Sequence, residues 1–353
     1  MQLFSYYRKR LIILWICIQM ISINSNEENL KFNIKCIIFR PKLLYGSLHS
    51  FNLNTTHFSA FANFSFHVNE NDTMLYEFVP GPVAVVNHSS PVMYMSVQCA
   101  TAFQRVILVA FDMQKKTYKQ SRWVLDEGLY AYLFYDPQRD RLFGLREVSI
   151  FTLIMEEYNM TTLEVIQEYT QQTDGQYAYP QGGCVVFDYE ENWIVEVRTR
   201  FESPSVNAYY VKIDLNLVGK KDDIVTEFYL MPNVGELCSM TYDIKTKTIL
   251  ATWQHGSIDR NLVMIYMNPY TSKFSNETIL FKVARGWDIK DTQAIYDEQS
   301  RQVLVLIRYE NDDTFEGQYW IMLVDFDTME INLKKEIKTD EYLSDWALFD
   351  VYS

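Results

Sequence analysis

Acidic and aromatic side chains recur together in the segments that lead from one apolar stretch of the chain to the next. The residues of these two types that form a candidate site are Glu127, Glu236, Asp291, Asp345, Trp287 and Trp346. Carboxylate oxygens are the ligands that Ca²⁺ prefers, and aromatic faces attract organic ammonium groups. The sequence therefore predicts a site for a calcium ion or a small amine. The alternative is that these acids are ordinary solvated groups of an acidic protein.

Sequence motifs for catalysis by side chains alone are missing, since the chain contains no G-x-S-x-G, H-E-x-x-H or P-loop pattern. His255, in the stretch TWQHGSIDR, follows an apolar segment and is a candidate base or ligand, with an exposed loop histidine as the alternative. The glycine pair in PQGGC (180–184) leads into an apolar stretch and opens no helix. It therefore indicates a turn and not a phosphate-binding loop.

The segments that must position these residues follow a repeat. The stretch AYLFYDPQRDRLFGLRE (131–147) runs from an apolar segment ending in Tyr-Asp through a short polar turn into a second apolar segment. Similar stretches occupy residues 83–97, 182–199, 237–254 and 292–309. The pattern predicts β-hairpins in which the Asp accepts hydrogen bonds from amide groups of the turn.

The repeat is evenly spaced. Its marks are His88, Asp136, Asp188, Asp243, Asp297 and Asp350, at intervals of 48, 52, 55, 54 and 53 residues. A second hairpin-like pair lies between successive marks, and four strands in about 50 residues are typical of a β-propeller blade. The sequence predicts an all-β, six-bladed β-propeller with four-stranded blades. The alternative is a β-sandwich with accidental spacing.

The two ends of the chain predict how the propeller closes. Residues 34–64 supply three strands of a blade, and SDWALFDVY (344–352) supplies the first strand that this blade lacks. Joining them completes the blade and removes exposed sheet edges. We therefore expect a single propeller domain over residues 26–353, closed by the C-terminal strand.

This repeated hairpin pattern resembles that of the six-bladed β-propeller superfamily, which includes the NHL, YWTD, SMP-30-like and yellow-type proteins. The resemblance spans nearly the whole chain after its N-terminal segment, and it concerns architecture, because the YWTD tetrad itself is absent. It implies the propeller fold and carries no catalytic residue onto this sequence.

The N-terminus predicts export. Arg8, Lys9 and Arg10 precede an apolar stretch of 11 residues, which indicates a signal peptide over residues 1–25, with a short signal anchor as the alternative. Removing residues 1–25 takes away three of the 32 basic residues and none of the 45 acidic ones, so the net charge changes from −13 to about −16. Such a charge disfavours nucleic acid and anionic membranes.

Export in turn predicts modification. Six N-x-[ST] sequons are candidate glycosylation sites: Asn54, Asn63, Asn71, Asn87, Asn159 and Asn276. In the propeller frame, Asn87, Asn54, Asn159 and Asn276 are predicted at turns on one face. Four cysteines are disulfide candidates, with three possible connectivities: Cys36, Cys99, Cys184 and Cys238.

Three functions are compatible with these patterns. The first is a secreted, non-enzymatic binding or extracellular matrix protein, with a small cationic ligand or an extracellular protein as partner and no membrane span after cleavage. The second is a lactonase-like hydrolase with a divalent cation, for which three or four oxygen ligands must converge within about 2.3–2.6 Å of one point. The third is a carrier of small amines with a deep aromatic pocket.

Overall fold

A computed structural model of the chain describes eighteen stretches of backbone. These are residues 20–22, 31–40, 45–52, 57–65, 78–85, 92–99, 105–121, 124–125, 129–149, 152–172, 180–202, 205–220, 225–231, 234–255, 260–298, 300–314, 316–337 and 346–348. Within these stretches no helix is both long and apolar enough to cross a membrane.

The described residues form β-strands and one short 3-10 helix, Leu215–Leu217. The strands are β1 (Met20–Ser22), β2 (Lys31–Arg40), β3 (Tyr45–Asn52), β4 (His57–Ser65), β5 (Phe78–Val85), β6 (Val92–Cys99), β7 (Arg105–Asp112), β8 (Thr117–Gln120), β9 (Val124–Leu125), β10 (Leu129–Asp136), β11 (Arg141–Ser149), β12 (Thr152–Tyr158), β13 (Val165–Gln172), β14 (Pro180–Asp188), β15 (Trp193–Glu202), β16 (Ser205–Asp214), β17 (Val225–Met231), β18 (Val234–Asp243), β19 (Thr248–His255), β20 (Leu262–Asn268), β21 (Lys273–Phe274), β22 (Thr278–Phe281), β23 (Trp287–Asp297), β24 (Gln302–Asn311), β25 (Gly317–Asp325), β26 (Ile331–Ile337) and β27 (Trp346–Leu348).

These strands pair into antiparallel sheets in the manner of a β-propeller. Five sheets are each made of strands consecutive in the chain: β5–β9, β10–β13, β14–β17, β18–β22 and β23–β26. A further sheet contains β1–β4 together with β27, which pairs with β2 through Cys36↔Leu348, Ile37↔Ala347 and Ile38↔Trp346. The predicted all-β propeller is thus confirmed.

The finer prediction of six four-stranded blades is wrong. The five sheets of consecutive strands count as five blades, and sheets of five strands occur beside sheets of four. The extra strands arise where an outer strand is interrupted: β21 and β22 both pair with β20, and β8 and β9 both pair with β7. At the first of these breaks the hydroxyl oxygen of Ser275 accepts a hydrogen bond of 3.0 Å from the amide of Tyr266.

The chain divides into two compact units. One comprises residues 1–133, 160–164 and 341–353, and its buried residues include Met93, Met95, Val109 and Phe111. The other comprises residues 134–159 and 165–340 and contains two apolar cores. In the second unit the first strands β14, β18 and β23 are neighbours. The prediction of one domain over residues 26–353 stays a prediction.

Burial explains the strand patterns of the second unit. The middle strand β24 is apolar on both faces and nearly all buried, whereas the outermost strand β26 has a single buried residue, Ile337. One core packs β15 and β16 against β19 and β20 around Trp193 and Trp253. The other packs β19 and β20 against β24 and β25. Sheet-on-sheet burial of this kind dominates the stability of the fold.

The tight turns share one geometry. The last residue of a strand or the residue after it is Asp or Asn, and the residue four positions later has a positive φ. The pairs are Asp112–Lys116, Asp136–Asp140, Asn159–Leu163, Asp188–Asn192, Asp243–Lys247, Asn268–Ser272, Asp297–Arg301 and Asp325–Met329. The predicted role of the Asp is confirmed, for example at Asp136, whose Oδ1 accepts from the amides of Gln138 (3.0 Å) and Arg139 (3.1 Å).

Candidate functional site

The segment before β23 is anchored by hydrogen bonds that place Trp287 and Asp288 at the beginning of that strand. Gly286 has a φ of +80°, a conformation that favours glycine, and its carbonyl accepts from the amide of Asp312 at 2.9 Å. The amide of Trp287 donates to the carbonyl of Ala284 at 3.1 Å, and the amide of Ala284 donates to the hydroxyl of Tyr309. The start of β23 is therefore fixed by its own loop and by β24.

Trp287, a predicted ligand contact, packs against the aromatic core. Its ring is stacked on that of Tyr309, with centroids 4.7 Å apart and planes 19° from parallel. Tyr309 in turn lies edge-on to Phe281 at 5.1 Å. One face of the indole is thus covered, and only the other could contact a cation.

Asp288 belongs to a network of two acids and two bases. The Nη1 of Arg260 lies 3.5 Å from Asp288 Oδ1 and 3.6 Å from Asp312 Oδ2. The Nζ of Lys290 lies 3.2 Å from Asp288 Oδ2 and 3.1 Å from Asp312 Oδ1. The amide of Gln254 also donates to Asp288 at 2.9 Å. The two carboxylates are therefore already neutralised by protein cations.

Asp291, the fifth residue of β23, has a different environment. It is half-buried, and its described side-chain partner is Gln293, whose Nε2 lies 3.4 Å from Oδ2. The guanidinium of Arg308 donates to Glu310 at 2.8 Å, and its positive charge lowers the pKa of Asp291. Desolvation of the carboxyl group outweighs the attraction of Arg308 and raises the pKa of Asp291 to about 7.

The structure brings two of the predicted site residues, Trp287 and Asp291, onto one strand. Glu236 and Trp346 lie in strands β18 and β27, with their side chains outside the described part, and Glu127 and Asp345 lie outside it entirely. Among the described side chains no three His, Cys, Asp or Glu residues are placed to hold a metal ion. The predicted convergence of the acids stays a prediction.

His255, the candidate base, lies at the end of β19. Its Nε2 is 3.0 Å from Oε2 of Glu277, and both side chains are partly exposed. The backbone amide of His255 donates to the carbonyl of Asn261 at 3.0 Å. The described geometry therefore gives His255 a carboxylate partner across its own sheet.

Two of the candidate glycosylation sites have described side chains. Asn159 lies at the turn after β12, where it was predicted, whereas Asn276 is exposed in the break between β21 and β22. Its prediction at a turn is wrong because the outer strand is interrupted there. Asn63 lies in β4, and its side chain is outside the described part. Residues Asn54, Asn71 and Asn87 lie outside the described part entirely. Cys36, Cys99, Cys184 and Cys238 lie in β2, β6, β14 and β18, and their side chains are likewise outside it.

One polar cluster was not recognised in the sequence. It surrounds the buried carboxylate of Asp188, whose Oδ2 accepts from the hydroxyls of Tyr242 (2.6 Å) and Tyr270 (3.0 Å) and from Lys247 Nζ (3.0 Å). Burial alone would raise the pKa of Asp188, but hydrogen bonds from Tyr242, the amide of Glu191, Lys247 and Tyr270 lower it. The sequence marked Asp188 as a turn residue, but its donors come from 54 to 82 residues away.

Known structures show a similar fold. No protein-family model and no curated protein match this chain. The periplasmic gluconolactonase of Pseudomonas aeruginosa matches with a TM-score of 0.50 and 8% identity, covering 92% of this chain and 85% of that chain. A likeness at this identity shows the propeller fold alone.

Two further matches have lower scores. An apocarotenoid oxygenase of Synechocystis gives a TM-score of 0.46 at 8% identity, over 86% of this chain and 69% of that chain. An oligogalacturonate lyase in complex with manganese gives 0.40 at 14% identity, over 73% of each chain. Neither score supports an argument about function.

Proposed function

We propose that this chain is a secreted, glycosylated β-propeller that acts as a non-enzymatic binding protein for small amines, with Asp291 as the anionic group that the ligand meets. Export follows from the basic and apolar N-terminal pattern, and glycosylation from the six sequons. The observation that carries the binding role is the environment of Asp291.

Asp291 supports this function because its negative charge is poorly compensated. A carboxyl group with a pKa near 7 is partly protonated at neutral pH, since the surrounding protein stabilises the ionised form too weakly. An ammonium group beside it would supply the missing positive charge and release the proton. Asp288 and Asp312, in contrast, already have Arg260 and Lys290 as partners.

The test is isothermal titration of the secreted protein with butylamine hydrochloride in two buffers of different ionisation enthalpy. At pH 6.5 we expect binding with net proton release, and an affinity that rises with pH and levels off above about 7, where Asp291 is ionised. Calcium chloride is titrated in parallel, because the same carboxylate could contact a metal ion. Binding without a proton change would contradict the role of Asp291.

The variant Asp291→Asn keeps the size of the side chain and removes its charge. We expect it to lose amine binding, whereas Asp313→Asn, an equal charge change at an exposed turn residue, should bind as the parent does. Equal loss in both variants would point to the overall acidic charge instead. Equal binding in both would remove Asp291 from the site.

A further inference from the structure

Two aromatic rings at the turn end of the second unit face a lysine. Trp193 begins β15, and Tyr270 lies in the turn between β20 and β21; their centroids are 5.4 Å apart and their planes meet at 68°. The Nζ of Lys212, from β16, lies 5.2 Å from the ring centre of Trp193 and 4.8 Å from that of Tyr270. Both distances are within the range of cation–π attraction.

A buried negative charge lies behind these rings. The indole nitrogen of Trp193 donates to the hydroxyl oxygen of Tyr270, and that hydroxyl donates to Asp188 Oδ2 at 3.0 Å. Tyr242 donates to the same oxygen at 2.6 Å and lies edge-on to Trp193 at 5.5 Å. Donation towards a carboxylate shifts electron density into the rings, which strengthens their attraction for a cation.

Lys212 lies against these two rings. Its side chain is half-buried, and its ammonium lies within cation–π distance of both ring centres. The position therefore offers an ammonium group two aromatic faces, and one of the rings, Tyr270, donates to Asp188, whose charge is paired with Lys247.

We propose that Trp193 and Tyr270, supported by Asp188, form an ammonium-binding cage that Lys212 fills from within, and that a quaternary ammonium compound binds there by displacing it. A quaternary ammonium is larger and more weakly hydrated than the primary ammonium of lysine, so its desolvation costs less. Access is provided by Tyr270, which is 42% exposed, while Trp193 is 2% exposed and forms the fixed wall.

This cage is separate from the site of the proposed function. It lies at the end of β14 and the beginning of β15, whereas Asp291 lies in the first half of β23. The ligand classes differ as well, because a quaternary ammonium has no N–H to donate to a carboxylate. Asp291→Asn should leave the cage unchanged, so either proposal can fail while the other stands.

The experiment compares choline with 3,3-dimethylbutan-1-ol, its uncharged isostere, by tryptophan fluorescence and calorimetry. In Lys212→Ala, which empties the cage, we expect choline to bind about tenfold more tightly than in the parent and about tenfold more tightly than the alcohol. Lys245→Ala removes an exposed lysine that pairs with Glu298 and should behave like the parent. Equal binding of choline and the alcohol to Lys212→Ala would overturn the proposal.

A second pair of variants tests the ring itself. In the Lys212→Ala background, Tyr270→Leu should abolish choline binding, whereas Tyr270→Phe keeps the ring, loses the bond to Asp188 and should bind with intermediate affinity. The Phe variant decides the matter if the Leu variant does not fold. Choline binding in Lys212→Ala that is unaffected by Tyr270→Leu, or tightening in Lys245→Ala equal to that in Lys212→Ala, contradicts the cage.

Discussion

Asp188 and Asp291 are both carboxylates on the first strand of a sheet, and their surroundings differ in kind. Asp188 closes β14 and receives two turn amides on Oδ1 and three side-chain donors on Oδ2. Asp291 lies within β23 and has Gln293 as its described side-chain partner. The pKa of Asp188 is accordingly lowered, and that of Asp291 is raised to about 7.

The difference separates a structural acid from a candidate ligand-binding acid. A buried carboxylate with all its lone pairs occupied joins two sheets, because its donors come from β14–β15 on one side and from β18–β21 on the other. A half-buried carboxylate such as Asp291, which has fewer hydrogen-bond donors, costs stability when it is ionised. Residues that destabilise the folded protein in this way are concentrated at sites of ligand binding and catalysis.

The largest expected effect in this comparison is that of Asp188→Asn. The amide cannot accept from three donors on one atom, and the positive charge of Lys247 loses its buried partner, so we expect a loss of roughly 3–5 kcal/mol in the free energy of unfolding. Urea denaturation measures it. Asp140→Asn, at an exposed turn position with a φ of 50° that Asn tolerates, is the control and should stay within about 0.5 kcal/mol. An unchanged midpoint in Asp188→Asn would contradict the structural role.

We expect Asp291→Asn, unlike Asp188→Asn, to increase the free energy of unfolding at high pH. Because the folded pKa is raised from 3.8 to about 7, the parent has its full stability from this group below pH 3.8 and loses it as the pH rises towards 7. This rise in the pKa corresponds to a loss of at most about 4 kcal/mol in the free energy of unfolding, and the partial exposure of Asp291 makes the loss smaller. We expect the variant to be about 1–3 kcal/mol more stable at pH 8 and equal near pH 4, in urea denaturation at both values. A variant less stable at pH 8 would show that Asp291 is well paired.

Lys247→Met tests the contribution of one donor to the structural acid. Lys247 has a φ of 54°, and its ammonium reaches back to Asp188 at 3.0 Å and to Glu190 at 2.6 Å. Methionine keeps the length and removes the charge, so we expect a loss of about 1–2 kcal/mol, smaller than that of Asp188→Asn because the tyrosine hydroxyls remain. The sum of Lys247→Met and Asp188→Asn should exceed the effect of the double variant, since the two share one interaction.

The turn chemistry was the part of the fold that the sequence predicted best. Asp136, Asp188, Asp243 and Asp297 were recognised because an Asx turn depends on residues two or three positions apart. The strand count per sheet was not predictable in the same way. The break at Ser275 depends on a side-chain bond to Tyr266 of the neighbouring strand, which no local pattern reports.

The candidate site was predicted only in part for a similar reason. The sequence marked Trp287 and Asp291 as acidic and aromatic residues before a strand, but the partners that decide their chemistry are distant. Tyr309 covers one face of Trp287, and Arg308 donates to Glu310 while its charge acts on Asp291. Lys212 and Tyr270 could not be linked from the sequence, because they are 58 residues apart and belong to different sheets.

The smallest effect is expected from the network next to Asp291. Lys290 lies between Asp288 and Asp312 and is partly exposed, as are its partners, so solvent and salt screen the four charges. Lys290→Met should cost at most about 1 kcal/mol in urea denaturation at low salt, and the difference should vanish in 1 M sodium chloride. Amine binding at Asp291 should persist in this variant, because Lys290 faces the other two acids. A loss of more than about 2 kcal/mol in the free energy of unfolding that persists in 1 M sodium chloride would show that Lys290 stabilises the fold as strongly as the partners of Asp188 do. It would thereby weaken the contrast between the surroundings of Asp188 and those of Asp291.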